Sequence, residues 1–329
     1  MKIAIIGGGW VGCHLAMKLK NDHTVTIFER NHKLFLETSY NNQNRLHQGY
    51  HYARNSKTRE LCENTFDRFI AEYPFLVENV FNNAYAIVEN ESSIDYGTFK
   101  KIFHDYTYSE ADLGLDNLQD VVLVNEKYIN FLKASEYFNE QLGHLVINTE
   151  ITKASALKED FDLVINCTNN RLPDPKCKSS FYELTITLLF EKIGYTPFGA
   201  LTLIDGDFIS IYPYNKKDGK EIFTVSDVKY TPVEKFNKIK EKDNFRFSQH
   251  EADFYKEIIT ARVSKYYPEF KDKFKYNGFF LSTKSKYMNQ SADRSPVISR
   301  QDNVINCFTG KIQGIYVIED YLKNEIANW

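Results

Sequence analysis

MKIAIIGGGWVGCHLAMKLKNDHTVTIFER, residues 1–30, is the stretch that decides the fold class. Ile3 to Ile6 form a continuous apolar run, as expected of a strand covered on both faces. Gly7-x-Gly9-x-x-Gly12 follows at once, then a helix to about Lys20, then TVTIFE, a second strand that ends at Glu29. In that strand-turn-helix-strand context each glycine has its own reason: Gly7 permits the tight turn, Gly9 removes the side chain that would block a pyrophosphate, and Gly12 lets helix and strand approach. Ala16 adds another small residue for close packing. The helix N-terminus, with Trp10 and Val11 in its first turn, presents unpaired N–H groups and a partial positive charge. Glu29 can accept hydrogen bonds from both adenosine ribose hydroxyls and would repel a 2′-phosphate, for which Arg30 is the one adjacent cation. A glycine turn without a ligand is the bland alternative, and the surrounding pattern weighs against it. The motif by itself does not separate NAD from FAD, since both present the same adenosine pyrophosphate.

The rest of the composition narrows the field. A chain of 329 residues suggests two domains, or one large composite one. Hydrophobic residues make up 43% and charged residues 26%, which is globular and excludes a disordered or collagen-like chain. With 41 Lys plus Arg against 44 Asp plus Glu the net charge is −3, so no global positive field exists to hold nucleic acid; the expected partner is a small molecule. No run approaches the roughly 18–20 apolar residues of a membrane span, and the N-terminal run breaks into glycines too early for a signal peptide. Five cysteines, Cys13, Cys62, Cys167, Cys177 and Cys307, are widely spread without a CxxC pair or zinc-like spacing, which fits a reducing cytoplasm and no metal.

Outward from the opening unit, residues 37–55 read ETSYNNQNRLHQGYHYARN, polar, aperiodic and long for a connection, as functional loops are. Ser56 is the expected N-cap of a helix that presents Leu61, Thr65, Phe69 and Tyr73 and stops at Pro74. Residues 75–125 give a mixed pattern. From Asn130 a helix with Phe131, Ser135, Phe138 and Leu142 on one face ends at Gly143, expected in the left-handed conformation, before the strand candidates HLVINTEI and FDLVINCT. Between about Ser180 and Pro232 the period becomes that of an antiparallel sheet: YELTITLLF, ALTLI, a turn at Asp205-Gly206, DFISIYPY, a turn at Asp218-Gly219, and EIFTVSDV. A helix from about His250 to Tyr267, the strand and turn NVINCFTG, and the helix IQGIYVIEDYLKNEI close the chain.

Four segments, in this order, resemble the FAD-dependent oxidoreductases of the D-amino acid oxidase and glycine oxidase superfamily. The first is the glycine turn with Glu29. The second, Thr38-Ser39 through Asn44, Arg45, His47, Gly49, His51 and Tyr52, is similar to a stretch of the L-2-hydroxyglutarate oxidase branch, from which it departs in Arg45 and the second histidine. The third is the helix-glycine-strand run ending at Ile151 with DLVINCTN after it, where Asn169 stands at a common glycine position. The fourth is Asp293-Arg294-Ser295-Pro296-Val297-Ile298 with Thr309-Gly310-Lys311-Ile312-Gln313-Gly314. The resemblance implies an α/β fold with a discontinuous Rossmann-like FAD-binding domain, residues 1–75, 130–175 and 290–329, and an antiparallel-sheet substrate domain, residues 76–129 and 176–289. It implies FAD as cofactor, with contacts from Gly7, Gly9, Trp10, Val11, Gly12, Glu29, Arg30, Asn44, Arg45, His47, Ile151, Cys167, Thr168, Gly310, Lys311, Ile312 and Gln313.

Flavin oxidation of a C–H next to nitrogen or oxygen needs the donor carbon held against the ring, a route for the heteroatom proton, and stabilisation of negative charge on the reduced flavin. Lys311 and the turn around it are candidates for the last need, although a capping turn with a solvated lysine is the plain alternative. His47 and His51, four residues apart, are candidates for accepting the proton, or ordinary hydrogen-bonded histidines. Arg45, Arg54 and Arg294 could clamp an anion, with Tyr50, Tyr52, Tyr212 and Tyr214 completing a polar rim. Cys13 and Cys167 read as small packing residues. The expected enzyme oxidises a small polar CH–NH or CH–OH substrate, such as an amino acid, a 2-hydroxy acid or an amino sugar, by hydride transfer to flavin. A sugar-nucleotide flavoenzyme without net redox, and a non-catalytic dinucleotide-binding protein, are the alternatives.

Overall fold

The computed structural model describes residues 1–172, 174, 180–206, 208–287 and 293–327. The opening apolar run is the strand Lys2–Ile6, with Ile3, Ala4 and Ile5 fully buried. It lies inside a six-stranded sheet ordered Val297–Gln301, Val304–Phe308, Leu163–Asn166, Lys2–Ile6, Thr24–Glu29, Val146–Asn148. Neighbours are parallel except the edge strand Val297–Gln301, which runs antiparallel to Val304–Phe308. Ile5 pairs with Ile27 on one side and Ile165 on the other, and Ile165 pairs with Ile305, so distant stretches of chain share one core. The helices Trp10–Leu19, Phe131–Leu142 and Ile315–Ala327 bury their apolar faces against one side of this sheet. Ile151, Ala154, Leu157 and Phe161 help to cover the other.

The second layer is a nine-stranded, mostly antiparallel sheet. Its spine, Ser180–Lys192, pairs with Phe274–Tyr287, Lys220–Asp227 and Pro232–Phe236. The period-2 alternation assigns its faces. Ile186, Leu188 and Phe190 pack with the helix Gln249–Tyr266, while Thr185 and Thr187 point the opposite way, toward the first sheet. That helix opens on a capping box in which Ser248 and Glu251 satisfy each other's backbone N–H groups. A small third sheet, Arg45–Leu46 with Lys127–Ile129 and Val77–Asn79, joins the layers. No helix among the described residues is long and apolar enough to cross a membrane.

Several local expectations change. The N-cap of the helix Ser56–Glu72 is Asn55, whose extended backbone lets its side chain accept the Thr58 N–H at 2.8 Å, so Ser56 becomes the first helical residue. The buried stripe of that helix runs through Thr58, Cys62, Thr65, Phe66 and Phe69, with Leu61 only half-buried. Gly143 is right-handed at φ −56° because the chain continues into a 3-10 turn, so no left-handed cap is needed. The mixed stretch holds the helix Tyr96–Ile102 and three further strands of the second sheet, Asn83–Val88, Ser109–Glu110 and Leu118–Val124. Asn83–Val88 is buried along its whole length and so shows no alternation to read. The Asp218-Gly219 turn is present, both residues at positive φ, between Lys217 and Lys220. The strand expected to begin at Asp207 begins at Ile209; Asp207 and Cys177 lie outside the described residues.

Candidate active site

A cleft of about 440 Å³ opens where the C-terminal ends of the parallel strands meet the hydroxyl-bearing face of the second sheet. Its first wall is the glycine turn. Gly7 has φ +99°, and a Cβ there would lie 2.9 Å from the Cys167 carbonyl oxygen. A Cβ on Gly12 would lie 1.9 Å from the Gly7 carbonyl oxygen, which makes glycine obligatory where the helix crosses the turn. Gly9 is the helix N-cap, and a Cβ on it would crowd Ser39 Oγ at 2.8 Å. Ser39 Oγ accepts the Trp10 N–H at 3.0 Å, while the next N–H, that of Val11, lines the cleft with no partner among the described residues.

Glu29 closes the far side of the turn. Its Oε2 accepts the Gly8 N–H at 2.7 Å, and its Oε1 accepts the Asn31 backbone and side-chain N–H groups at 2.8 and 2.9 Å. A carboxylate has about four acceptor sites, so this one is oriented by three donors and keeps one site for a ribose hydroxyl. Arg30 is paired with Glu37, which spends the one cation adjacent to Glu29. A glycine cradle without Cβ atoms, an unpaired helix N–H and an oriented acid together fit the adenosine and pyrophosphate of FAD.

The inner end is built on Arg45. Its guanidinium is buried, donates to Ser210 Oγ (3.1 Å), Tyr85 Oη (2.9 Å) and Thr202 Oγ1 (2.7 Å), and lies 4.3 Å from the Tyr212 ring centre. Beside it, His47 and Lys311 line the cleft, and Gln313 donates from beneath to the His47 and Cys62 carbonyls at 2.6 and 2.9 Å. Burial, with the charges of Lys311 and Arg45, holds His47 well below the ordinary imidazole range. Burial and Arg45 push the Lys311 ammonium down to about 7. Lys284, on the second sheet, lines the cleft with its side chain exposed.

Of the residues singled out in the sequence, Gly7, Gly9, Trp10, Val11, Glu29, Arg30, Asn44, Arg45, His47, Ile151, Cys167, Thr168, Gly310, Lys311 and Ile312 line this one cleft. Gly12 and Gln313 sit one step behind it. His51 is not in the lining: its ring packs against His47 at 5.2 Å and Phe208 at 4.6 Å, and burial, then Arg45, lower its basicity. Tyr52 supports Lys311, whose Nζ lies 4.6 Å from the ring centre. None of the four tyrosines expected at the rim lines the cleft. Tyr50 is fully buried beside Phe103 and donates to the Thr107 carbonyl at 2.6 Å, and Tyr212 lies hidden beneath Arg45 with its hydroxyl donating to the Lys127 carbonyl at 3.1 Å. Arg294 packs against Gly310 without lining the cleft, Arg54 is an exposed partner of Asp205, and Tyr214 stacks on Phe131. Cys13 and Cys167 are buried packing residues, and burial pushes the Cys13 thiol up.

Sequence reading missed Glu126, Tyr85 and Lys284. Tyr85 lies in the stretch without periodic signal and Glu126 directly after it, and Lys284 looks like any lysine of an alternating strand. The cluster of His14, Glu72 and Glu319 has metal-like spacing, but Lys18, Arg68 and Lys323 already neutralise its carboxylates.

Comparison with known proteins agrees with this geometry. Residues 2–81 match the DAO family model, described as FAD dependent oxidoreductase. The chain is 33% identical over 330 residues to FAD-dependent monooxygenase FPY4 of Fusarium mangiferae, covering 95% of this chain and 88% of the fungal protein. Its fold is similar to glycine oxidase from Geobacillus kaustophilus, with TM-score 0.70, 13% identity and coverage of 95% and 90% of the two chains. It is also similar to L-alpha-glycerophosphate oxidase from Mycoplasma pneumoniae with FAD bound, with TM-score 0.69, 12% identity and coverage of 100% and 94%.

Proposed function

The chain belongs to the FAD-dependent oxidoreductases of the DAO family, an enzyme with FAD as cofactor, and from that premise we propose that it oxidises a small polar CH–OH or CH–NH substrate at the inner end of the cleft. Bound FAD supplies the two-electron acceptor for the hydride that leaves the substrate carbon. In this reading Glu29 holds the adenosine ribose, the Val11 N–H and the glycine cradle hold the pyrophosphate, and the Gly310 to Ile312 turn borders the ring. The cofactor unit then comprises residues 1–75, 130–175 and 290–329, and residues 76–129 and 176–289 form the substrate domain.

The observation that carries the reading is that His47 and Lys311 line the same inner wall, with His47 held neutral and the Lys311 ammonium lowered to about 7. A neutral imidazole beside an ammonium lowered to about 7 suits the removal of an O–H or N–H proton while the adjacent carbon is oxidised. Thr187, Ser226 and Ser282 on the opposite wall offer hydroxyls that can orient a polar substrate without adding charge. An amino acid, a 2-hydroxy acid or an amino sugar meets these requirements.

The name of the fungal relative favours a second reading, oxygen insertion driven by an external reductant. Anaerobic mixing separates the two. Bleaching of the flavin bands by an amino acid, hydroxy acid or amino sugar supports direct substrate oxidation. Bleaching by NADH or NADPH alone, with ¹⁸O from labelled oxygen appearing in the product, replaces it with monooxygenation. Turnover of a sugar nucleotide only after flavin reduction would establish the reading without net redox.

A further inference from the structure

Glu126 is a fully buried acid between the strands Leu118–Val124 and Lys127–Ile129, with no place among the groups assigned above to cofactor or substrate. Its carboxylate is ringed by four donors. Oε1 accepts the Gln48 and Gly49 backbone N–H groups at 2.7 and 3.2 Å, and Oε2 lies 2.6 Å from Tyr85 Oη and 3.3 Å from His47 Nδ1. The loop from His47 to Gly49 therefore wraps this one side chain, and it does so with Gly49 at φ +121°.

The proton positions follow from what each partner can do. Arg45 Nη2 donates to Tyr85 Oη at 2.9 Å, and an arginine cannot accept. The single hydroxyl proton of Tyr85 must then go to Glu126 Oε2. The buried positive charge of Arg45 requires a negative counterpart, and Glu126 is the acid it reaches through Tyr85. A carboxylate that only accepts leaves one assignment for the histidine: Nδ1 carries the proton and donates it. Nε2 is then a bare lone pair, and it has no partner among the described residues.

We propose that Glu126 is a positioning residue for His47, holding the imidazole as its Nδ1–H tautomer so that Nε2 takes the O–H or N–H proton the substrate loses as its carbon is oxidised. The proposal rests on reading His47 as the proton acceptor. In the step the substrate O–H or N–H bond breaks, its electron pair stays on the heteroatom, and the proton bonds to the Nε2 lone pair. The resulting imidazolium keeps its Nδ1–H on Glu126, where the opposite charge stabilises it. Tyr85 and Arg45 hold the carboxylate from behind, so it cannot turn away when the ring becomes charged.

The test uses the FAD-loaded enzyme labelled with ¹⁵N-histidine, in which long-range proton–nitrogen correlation reports which ring nitrogen of His47 is protonated, independently of turnover. Wild type is expected to show Nδ1–H. Glu126→Gln, whose amide can donate toward Nδ1, is expected to convert the ring to Nε2–H and to slow anaerobic flavin reduction by about 10²–10⁴-fold. Glu126→Asp, which keeps the charge, should keep the Nδ1–H tautomer and recover part of the rate. An Nε2–H ring in wild type overturns the proposal even if the glutamine variant does not fold, as does an unchanged tautomer in Glu126→Gln. Wild-type flavin reduction in His47→Asn would instead sink the proton-acceptor reading itself, whichever tautomer is found.

Discussion

Glu29 Oε2 accepts the backbone N–H of Gly8 at 2.7 Å, so the acid that ends the second strand is bonded directly to the glycine turn that follows the first. The carboxylate proposed to hold the ribose therefore also pins the loop proposed to hold the pyrophosphate.

Glu29→Ala should weaken FAD binding by about 10–100-fold, the range for losing hydrogen bonds to a charged group. Fluorescence titration of the apoprotein with FAD measures it. Retention of wild-type affinity would show that the ribose is held elsewhere.

Two glycines should respond in opposite senses to alanine. Gly12→Ala places a methyl group 1.9 Å from the Gly7 carbonyl oxygen and should abolish folding or FAD retention. Gly143 is right-handed at φ −56° with open space around its Cβ position, so Gly143→Ala should raise stability by about 0.4–1 kcal/mol. Thermal unfolding of both variants beside wild type decides the matter.

Arg45→Met should cost about 3–5 kcal/mol, because it leaves Glu126 and Tyr85 buried without their cation. Arg45→Met combined with Glu126→Gln should cost less than the sum of the two single changes, since each removes what the other leaves unpaired. A urea-denaturation double-mutant cycle reads the coupling, and strict additivity would contradict the network.

Lys311, pushed down to about 7 in the folded chain from an ordinary 10.5, binds fewer protons folded than unfolded between those two values. Stability rises with pH wherever the unfolded state holds more protons, so its burial cost is full below about pH 7 and is relieved as pH climbs toward 10.5. The apoprotein Lys311→Met should therefore be more stable than wild type at pH 6, with the difference shrinking steadily up to pH 10. Melting temperatures across that range provide the check, and a constant difference would mean the ammonium is not desolvated.

Much of the architecture is legible in local patterns. Four consecutive apolar residues before a glycine turn, and threonines alternating with isoleucine and leucine in the strand Ser180–Lys192, place both walls of the cleft. What is not legible depends on partners far away in the chain. Tyr212 shares a strand face with Ser210, yet it is covered because Arg45, 165 residues from Ser210, reaches across to lie on it. Glu126 is one acid after an apolar strand, indistinguishable from a solvated turn residue until the His47 to Gly49 loop closes on it. Burial of that kind is set by tertiary contacts and leaves no period in the sequence.

The pairing of Val164 with Val304 also orders events in time. During synthesis the strand Lys2–Ile6 emerges first, while its neighbour Leu163–Asn166 and the next strand, Val304–Phe308, follow much later. The Gly310 to Ile312 wall of the cleft comes later still. A nascent chain released up to residue 300 lacks the strand Val304–Phe308 and the Gly310 to Ile312 wall, so the first sheet and the cleft are completed only after translation of nearly the whole chain.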